Sequence, residues 1–129
     1  MFILGDLNID PLLKAQSFLT MAIQVARSEL EKAGAIQAFE ICYELSWKTM
    51  KRILAYRGIE VNSPREVFRN AARDKLIDDL DYWFEFIEKR NLTTHVYNLK
   101  VAEEIFNFLP TFATELDKFI SRISLMKND

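Results

Sequence analysis

Three glycines and three prolines are all the punctuation that this 129-residue chain carries. A β-sandwich or barrel needs a turn after every strand, and turns draw on Gly and Pro for backbone angles that other residues resist. So sparse a supply makes long helices with short connections the economical fold. Half of the residues are hydrophobic and 28% are charged, the balance of a chain that buries a core rather than one that stays disordered. The length suits a single domain, expected over residues 1–129.

The apolar spacing bears this out segment by segment. Asp10-Pro11 reads as a helix start, with Asp as N-cap and Pro at the first helical position. Leu12, Ala15, Leu19, Ala22, Ala26 and Leu30 follow at helical intervals, and Gly34 is expected to end that helix. A second helix is expected from about Ala35 to Arg57, closed by Gly58, with Ile36, Phe39, Tyr43, Trp47, Met50 and Leu54 as its stripe. Ile41, Cys42 and Leu45 lie off that stripe and are apolar too, which marks a central helix or one at a subunit interface. Glu44 and Lys48 form an i,i+4 pair.

Ser63-Pro64-Arg65-Glu66 is a capping box opening a short third helix through Val67, Phe68 and Ala71. Asp78, Asp79 and Asp81 precede Leu80, Trp83, Phe84 and Ile87; acidic residues complement a helix start, and this outweighs a metal-site reading. A last helix begins near Lys100 and carries Val101, Ile105, Phe112, Leu116 and Ile123, with a kink or break expected at Pro110. The sum is an all-α, antiparallel four- to five-helix bundle.

One cysteine and one histidine exclude an internal disulfide and a Cys/His zinc cluster. Cys42 lies within a helical pattern and reads as packing; the cysteine usage points to a cytoplasmic setting. Met1–Leu4 is too short for a signal-peptide core, and no apolar run is long enough for a membrane span. The net charge of −2 hides an asymmetry. From Lys48 to Lys75 there are eight Lys or Arg against three Asp or Glu, whereas the rest holds nine against sixteen. Within that basic stretch Arg65, Arg69 and Arg73 recur every four residues and share a face, either a solvated stripe or a surface for phosphates.

No Gly-rich phosphate loop, nucleophile elbow or zinc-protease motif is present, and no cofactor is expected. The segment with chemistry in it is Glu88 to Asn98, which holds the single histidine between two apolar-striped helices. In one unbroken helix Arg90 and Tyr97 are nearly in line, while His95 lies about 140° round from Arg90. Either the helix breaks around Asn91, or the site is wide, or a second subunit completes it.

Arg90-x4-His95-x-Tyr97 matches the Arg-x4-His-x-Tyr motif of HepT-like HEPN proteins, and the text around it strengthens the match. Ile36-Gln37-Ala38-Phe39-Glu40 followed by Glu44-Leu45-Ser46-Trp47-Lys48 resembles the family's second-helix signature. Ser63-Pro64-Arg65-Glu66 with Arg69, and Trp83 followed by Arg90-Asn91-Leu92-Thr93-Thr94-His95-Val96-Tyr97, resemble two further family segments in the same order. The resemblance covers about Ile36 to Asn98. Ala38 departs from an arginine common in the pattern, which at most weakens a surface contact.

The resemblance, to the nucleotidyltransferase substrate-binding (HepT-like) family, implies a HEPN bundle that dimerises through the motif faces and binds an MNT-type nucleotidyltransferase. It implies one of two functions. The first is a metal-independent endoribonuclease toxin silenced by that nucleotidyltransferase. Arg90 and His95 would then be catalytic, Asn91 supporting, Tyr97 a site for AMP, and Arg65, Arg69 and Arg73 contacts to RNA phosphates. The second is a non-catalytic subunit that presents substrate to the nucleotidyltransferase. The chemistry of the first is coherent: imidazole exchanges protons near neutral pH, and guanidinium binds phosphoryl oxygens in pairs.

Overall fold

The computed structural model describes residues 1–128 and is built from five helices and one small hairpin. Strands β1 (Phe2–Ile3) and β2 (Leu7–Asn8) pair antiparallel around a turn in which Leu4 and Gly5 take positive φ angles of 50° and 91°. Helical periodicity alone did not foretell this hairpin. Ile3 also bridges Lys127, and the Asn128 amide group bonds the Gly5 backbone on both sides, at 3.1 and 2.9 Å. The two ends of the described chain are thus clasped together.

Helix α1 spans Asp10–Val25. Its N-cap is Ile9, not the expected Asp10, which is the first helical residue and pairs with the N-terminal amine. The larger correction comes at the next boundary. α1 stops at Val25, and α2 runs Glu29–Tyr56 with Gly34 inside it. Ser28 and Glu31 form a full capping box: Ser28 accepts from the Glu31 N–H, and Glu31 accepts from the Ser28 N–H at 2.9 Å. Such a box satisfies two orphan donors and is worth about 1 kcal/mol, enough to offset the roughly 1 kcal/mol that Gly costs in a helix interior. These backbone donors hold the Glu31 carboxyl below its usual pKa, the Ser28 N–H first and the Arg27 N–H next. Leu30, assigned from its spacing to the first stripe, is 83% exposed.

α2 ends as expected, with Gly58 at φ 84° and Ile59 N–H bonded to the Leu54 carbonyl. α3 spans Pro64–Arg73, capped by the Ser63 side chain, which accepts from Glu66 N–H. α4 spans Leu80–Leu92, and Asp79 is its N-cap, accepting from the N–H groups of Asp81 and Tyr82. The acidic run therefore marks a helix start. Arg122 bonds Asp78 at 2.6 Å and the Lys75 carbonyl at 3.1 Å, tying this connection to the last helix.

A single 3-10 turn, Thr93–His95, leads to α5, Leu99–Ser124, capped by the Asn98 side chain. The break expected at Pro110 does not occur: α5 runs through it. Pro110 is exposed, while Ile105, Leu109, Phe112, Leu116 and Phe119 bury one face on both sides of it. Burial of that stripe outweighs the one hydrogen bond that proline removes.

Phe39 and Tyr43 of α2, Phe68 of α3, Trp83 and Phe86 of α4, and Phe112 and Phe119 of α5 interlock in the core. Ring centroids lie 4.8 Å apart for Phe39–Phe112, 4.9 Å for Trp83–Phe86 and Phe86–Phe112, and 5.2 Å for Phe68–Trp83. Three of these pairs are edge-on and Phe68–Trp83 is tilted, arrangements that add to the area they bury. Ala38 is fully buried, so the departure from the family pattern there concerns packing rather than a surface contact. Among the described residues, no helix is long and apolar enough to cross a membrane.

Candidate functional site

The segment from Arg90 to Asn98 makes the passage between α4 and α5. The helix does not break at Asn91, which is exposed and still helical; the break follows Leu92, and Asn98 rather than Asn91 is the cap. Thr93, buried in the 3-10 turn, donates its hydroxyl to the Arg90 carbonyl at 2.7 Å and accepts from Arg90 Nη1 at 3.3 Å. One small side chain therefore holds both the backbone and the guanidinium of Arg90.

Arg90 reaches across to α2. Its Nη1 lies 3.8 Å from Glu40 Oε2, and its Nε lies 3.6 Å from Glu44 Oε1. These are ionic separations rather than hydrogen bonds. The Nε is buried and has no hydrogen-bond partner. Glu40, Glu44 and Arg90 line an open groove of about 590 Å³ together with Gln37, Ile41 and Leu45. Ile41, 43% exposed, and Leu45 are two of the apolar residues that lie off the α2 stripe, and this groove is where they emerge.

His95 and Tyr97 form the outer part of the turn. Both are exposed, Tyr97 to 80%, and His95 Nδ1 lies 3.1 Å from the Tyr97 hydroxyl. Among the described residues, no hydrogen bond or ion pair joins Arg90 to His95. The two are brought to one end of the bundle and anchored separately, Arg90 to α2 and His95 to Tyr97. Tyr97 also lines, with Val96, Leu99 and Leu30, a second groove between the start of α2 and the start of α5.

The three arginines of α3 are exposed. Arg65 and Arg69 lie over the Phe84 ring, with guanidinium carbons 4.6 and 5.7 Å from its centroid, and Arg69 pairs with Glu66. Arg73 ends the helix, where a cation complements the dipole. The Tyr43 phenol feels charge from both Arg65 and Arg90. Burial first, then the charge of Glu44, pushes that phenol up to about 12, while Arg90 and Arg65 both pull it down. Cys42, buried beside it on α2, is likewise pushed up to about 12 by burial, the state of a packing thiol and not of a nucleophile.

Sequence reasoning paired Glu44 with Lys48, and that contact exists at 3.9 Å. It missed that Glu44 also faces Arg90, and it gave no role to Glu40 or Thr93. Glu40 and Glu44 share one face of α2 at i,i+4 spacing, which was a usable signal; their partner on another helix was not.

An all-α bundle with an Arg, His and Tyr turn between its last two helices is the class that fold and site define. The model of the family described as nucleotidyltransferase substrate binding protein like matches residues 7–124, and the chain belongs to that family. A Haemophilus influenzae protein named probable ribonuclease HepT is 36% identical over 88 residues, a match covering 64% of this chain and 60% of that relative. This chain thus spans less than two thirds of that relative's length. A crystal structure from Thermus thermophilus superposes with a TM-score of 0.82 at 31% identity, covering 87% of this chain and 98% of the other. A Haemophilus influenzae structure described as the fold of a substrate binding domain of a nucleotidyltransferase gives 0.82 at 28% identity, covering 91% and 99%.

Proposed function

We propose that this chain is a cytoplasmic, metal-independent endoribonuclease of the HepT type, acting as a homodimer and silenced by an MNT-type nucleotidyltransferase antitoxin. The observation that carries the reading is the exposure of the single histidine. His95 stands in solvent on a turn held by Thr93, with its ring oriented by Tyr97, rather than packed against an apolar wall. A proton-transfer group has to be open to its substrate, and an exposed side chain meets that requirement.

In the proposed reaction, the RNA 2′-hydroxyl attacks the adjacent phosphorus, the 5′-oxygen leaves, and a 2′,3′-cyclic phosphate forms. His95 takes the hydroxyl proton, and the same residue of a second subunit supplies a proton to the leaving oxygen. Arg90 holds the phosphoryl oxygens as negative charge builds on them. Asn91 hydrogen-bonds phosphate, and Arg65, Arg69 and Arg73 track the backbone beyond the cut. Tyr97, the most exposed phenol of the molecule, is the residue on which the partner would place AMP, setting a negative charge where the RNA phosphate binds.

A second reading is favoured by the relative described as a nucleotidyltransferase substrate-binding domain: the same end of the bundle presents substrate and breaks no bond. The test is cleavage of RNA by purified wild type and His95→Ala in EDTA, with the product ends analysed. Wild type is expected to leave 2′,3′-cyclic phosphates, and His95→Ala to lose about 10²- to 10⁴-fold in rate, the usual worth of a positioned proton-transfer group. No cleavage by wild type whose Tyr97 is unmodified by mass would transfer the assignment to the substrate-binding role.

A further inference from the structure

At Glu44 a hydrogen bond from the Trp47 indole meets ionic contacts with Arg90 and Lys48. Its Oε2 accepts a hydrogen bond from Trp47 Nε1 at 3.0 Å, one turn further along α2. Its other oxygen, Oε1, faces Arg90 Nε at 3.6 Å. That Nε is the one buried side-chain nitrogen or oxygen among the described residues with no hydrogen-bond partner. An unpaired buried N–H of a charged group is costly, so a short movement that closes it onto Glu44 is favoured.

A guanidinium is planar and its five N–H groups are fixed relative to one another. Aiming Nε at one acceptor therefore sets the plane and direction of the remaining donors. We infer that Glu44 is a positioning residue for Arg90: the Trp47 indole holds one carboxylate oxygen and the other takes the Nε edge, while Nη1 is bonded to Thr93 and stands 3.8 Å from Glu40, which lines the same groove. Thr93 steadies the same guanidinium through Nη1 at 3.3 Å. Oriented in this way, Arg90 presents its remaining Nη hydrogens to a phosphoryl group in a fixed direction and does not have to search for them during the reaction. The inference rests on the reading of Arg90 as the phosphoryl-binding group.

The test combines kinetics with a direct view of the guanidinium. Glu44→Gln keeps the shape of the side chain and removes the charge; Trp47→Phe keeps Glu44 and removes the indole N–H. Circular dichroism confirms that each variant remains helical. Glu44→Gln is expected to lower kcat for RNA about ten- to a hundredfold, the usual loss when an orienting group behind a functional residue is removed. KM should stay within about threefold, because the interaction lost is one made in the transition state. Trp47→Phe should lose less, and the double variant should be no worse than Glu44→Gln alone, since both act through one contact. In ¹⁵N NMR spectra the Arg90 Nε–H resonance should shift in both single variants. An unchanged kcat in Glu44→Gln, or losses that multiply in the double variant, would overturn the proposal. If wild type cleaves no RNA, the nuclease reading falls and the resonance decides alone: a shift in Glu44→Gln upholds the positioning role, and no shift overturns it.

Discussion

Trp83 and Arg90 stand seven residues apart on α4, two turns along one face of one helix, and live in opposite circumstances. Trp83 is 1% exposed and meets the rings of Phe68, Phe86, Phe112 and Phe119. Arg90 is about one third exposed at its side chain, sits between two carboxylates at ionic distance, and leaves an N–H unpaired. The same helical stripe thus fills the core at one end and delivers a charged group at the other. Packing over-determines the first position. The second is held by a few polar contacts that leave one donor unspent.

That contrast can be broken most severely at Trp83. Trp83→Ala should destabilise the fold by about 3–5 kcal/mol, the range for emptying a large aromatic site, read from urea or thermal unfolding. A cost near zero would mean that α4 is not anchored by its aromatic end. The next effect is alkaline. The Cys42 thiol and the Tyr43 phenol are both pushed up to about 12 in the fold, from ordinary values of 9.0 and 10.0. Both are neutral in the folded protein and ionise sooner in the unfolded chain, so the stability they contribute is full below pH about 9 and is lost as pH rises towards about 12. Cys42→Ala should delay the onset of that loss towards the ordinary range of the phenol in a pH series of unfolding midpoints.

Ser28→Ala should cost about 1 kcal/mol by breaking the capping box that starts α2. The smallest effect belongs to the site. Tyr97→Phe removes the partner of His95 from an exposed turn and should change stability by no more than about 0.5 kcal/mol. A loss as large as that of Ser28→Ala would show that the turn is scaffold as much as site.

The helices from Ile36 onward were legible because their apolar stripes are long and their ends carry Ser63, Asp79 and Gly58, whose local chemistry acts within four residues. The α1–α2 boundary was misplaced for a reason of the same kind. Ala22, Ala26 and Leu30 continue a helical spacing straight across it, since both sides are helix, and only Ser28-x-x-Glu31 marks the break. Arg90, His95 and Tyr97 were legible as a motif. Their anchoring was not, because the distance from Arg90 to Glu40 and Glu44 is set by how α4 packs on α2, roughly fifty residues back. At Pro110, where a kink or break was expected, the helix does not break: a stripe of buried side chains on the far face carries it through.

The clasp between the hairpin and Asn128 has a kinetic meaning. Helices form from contacts three and four residues apart, whereas the Gly5–Asn128 bonds close a loop of 123 residues. Closing a loop of that length costs entropy that only an assembled bundle has already removed. The clasp should therefore be the last part of the molecule to zip and the first to open.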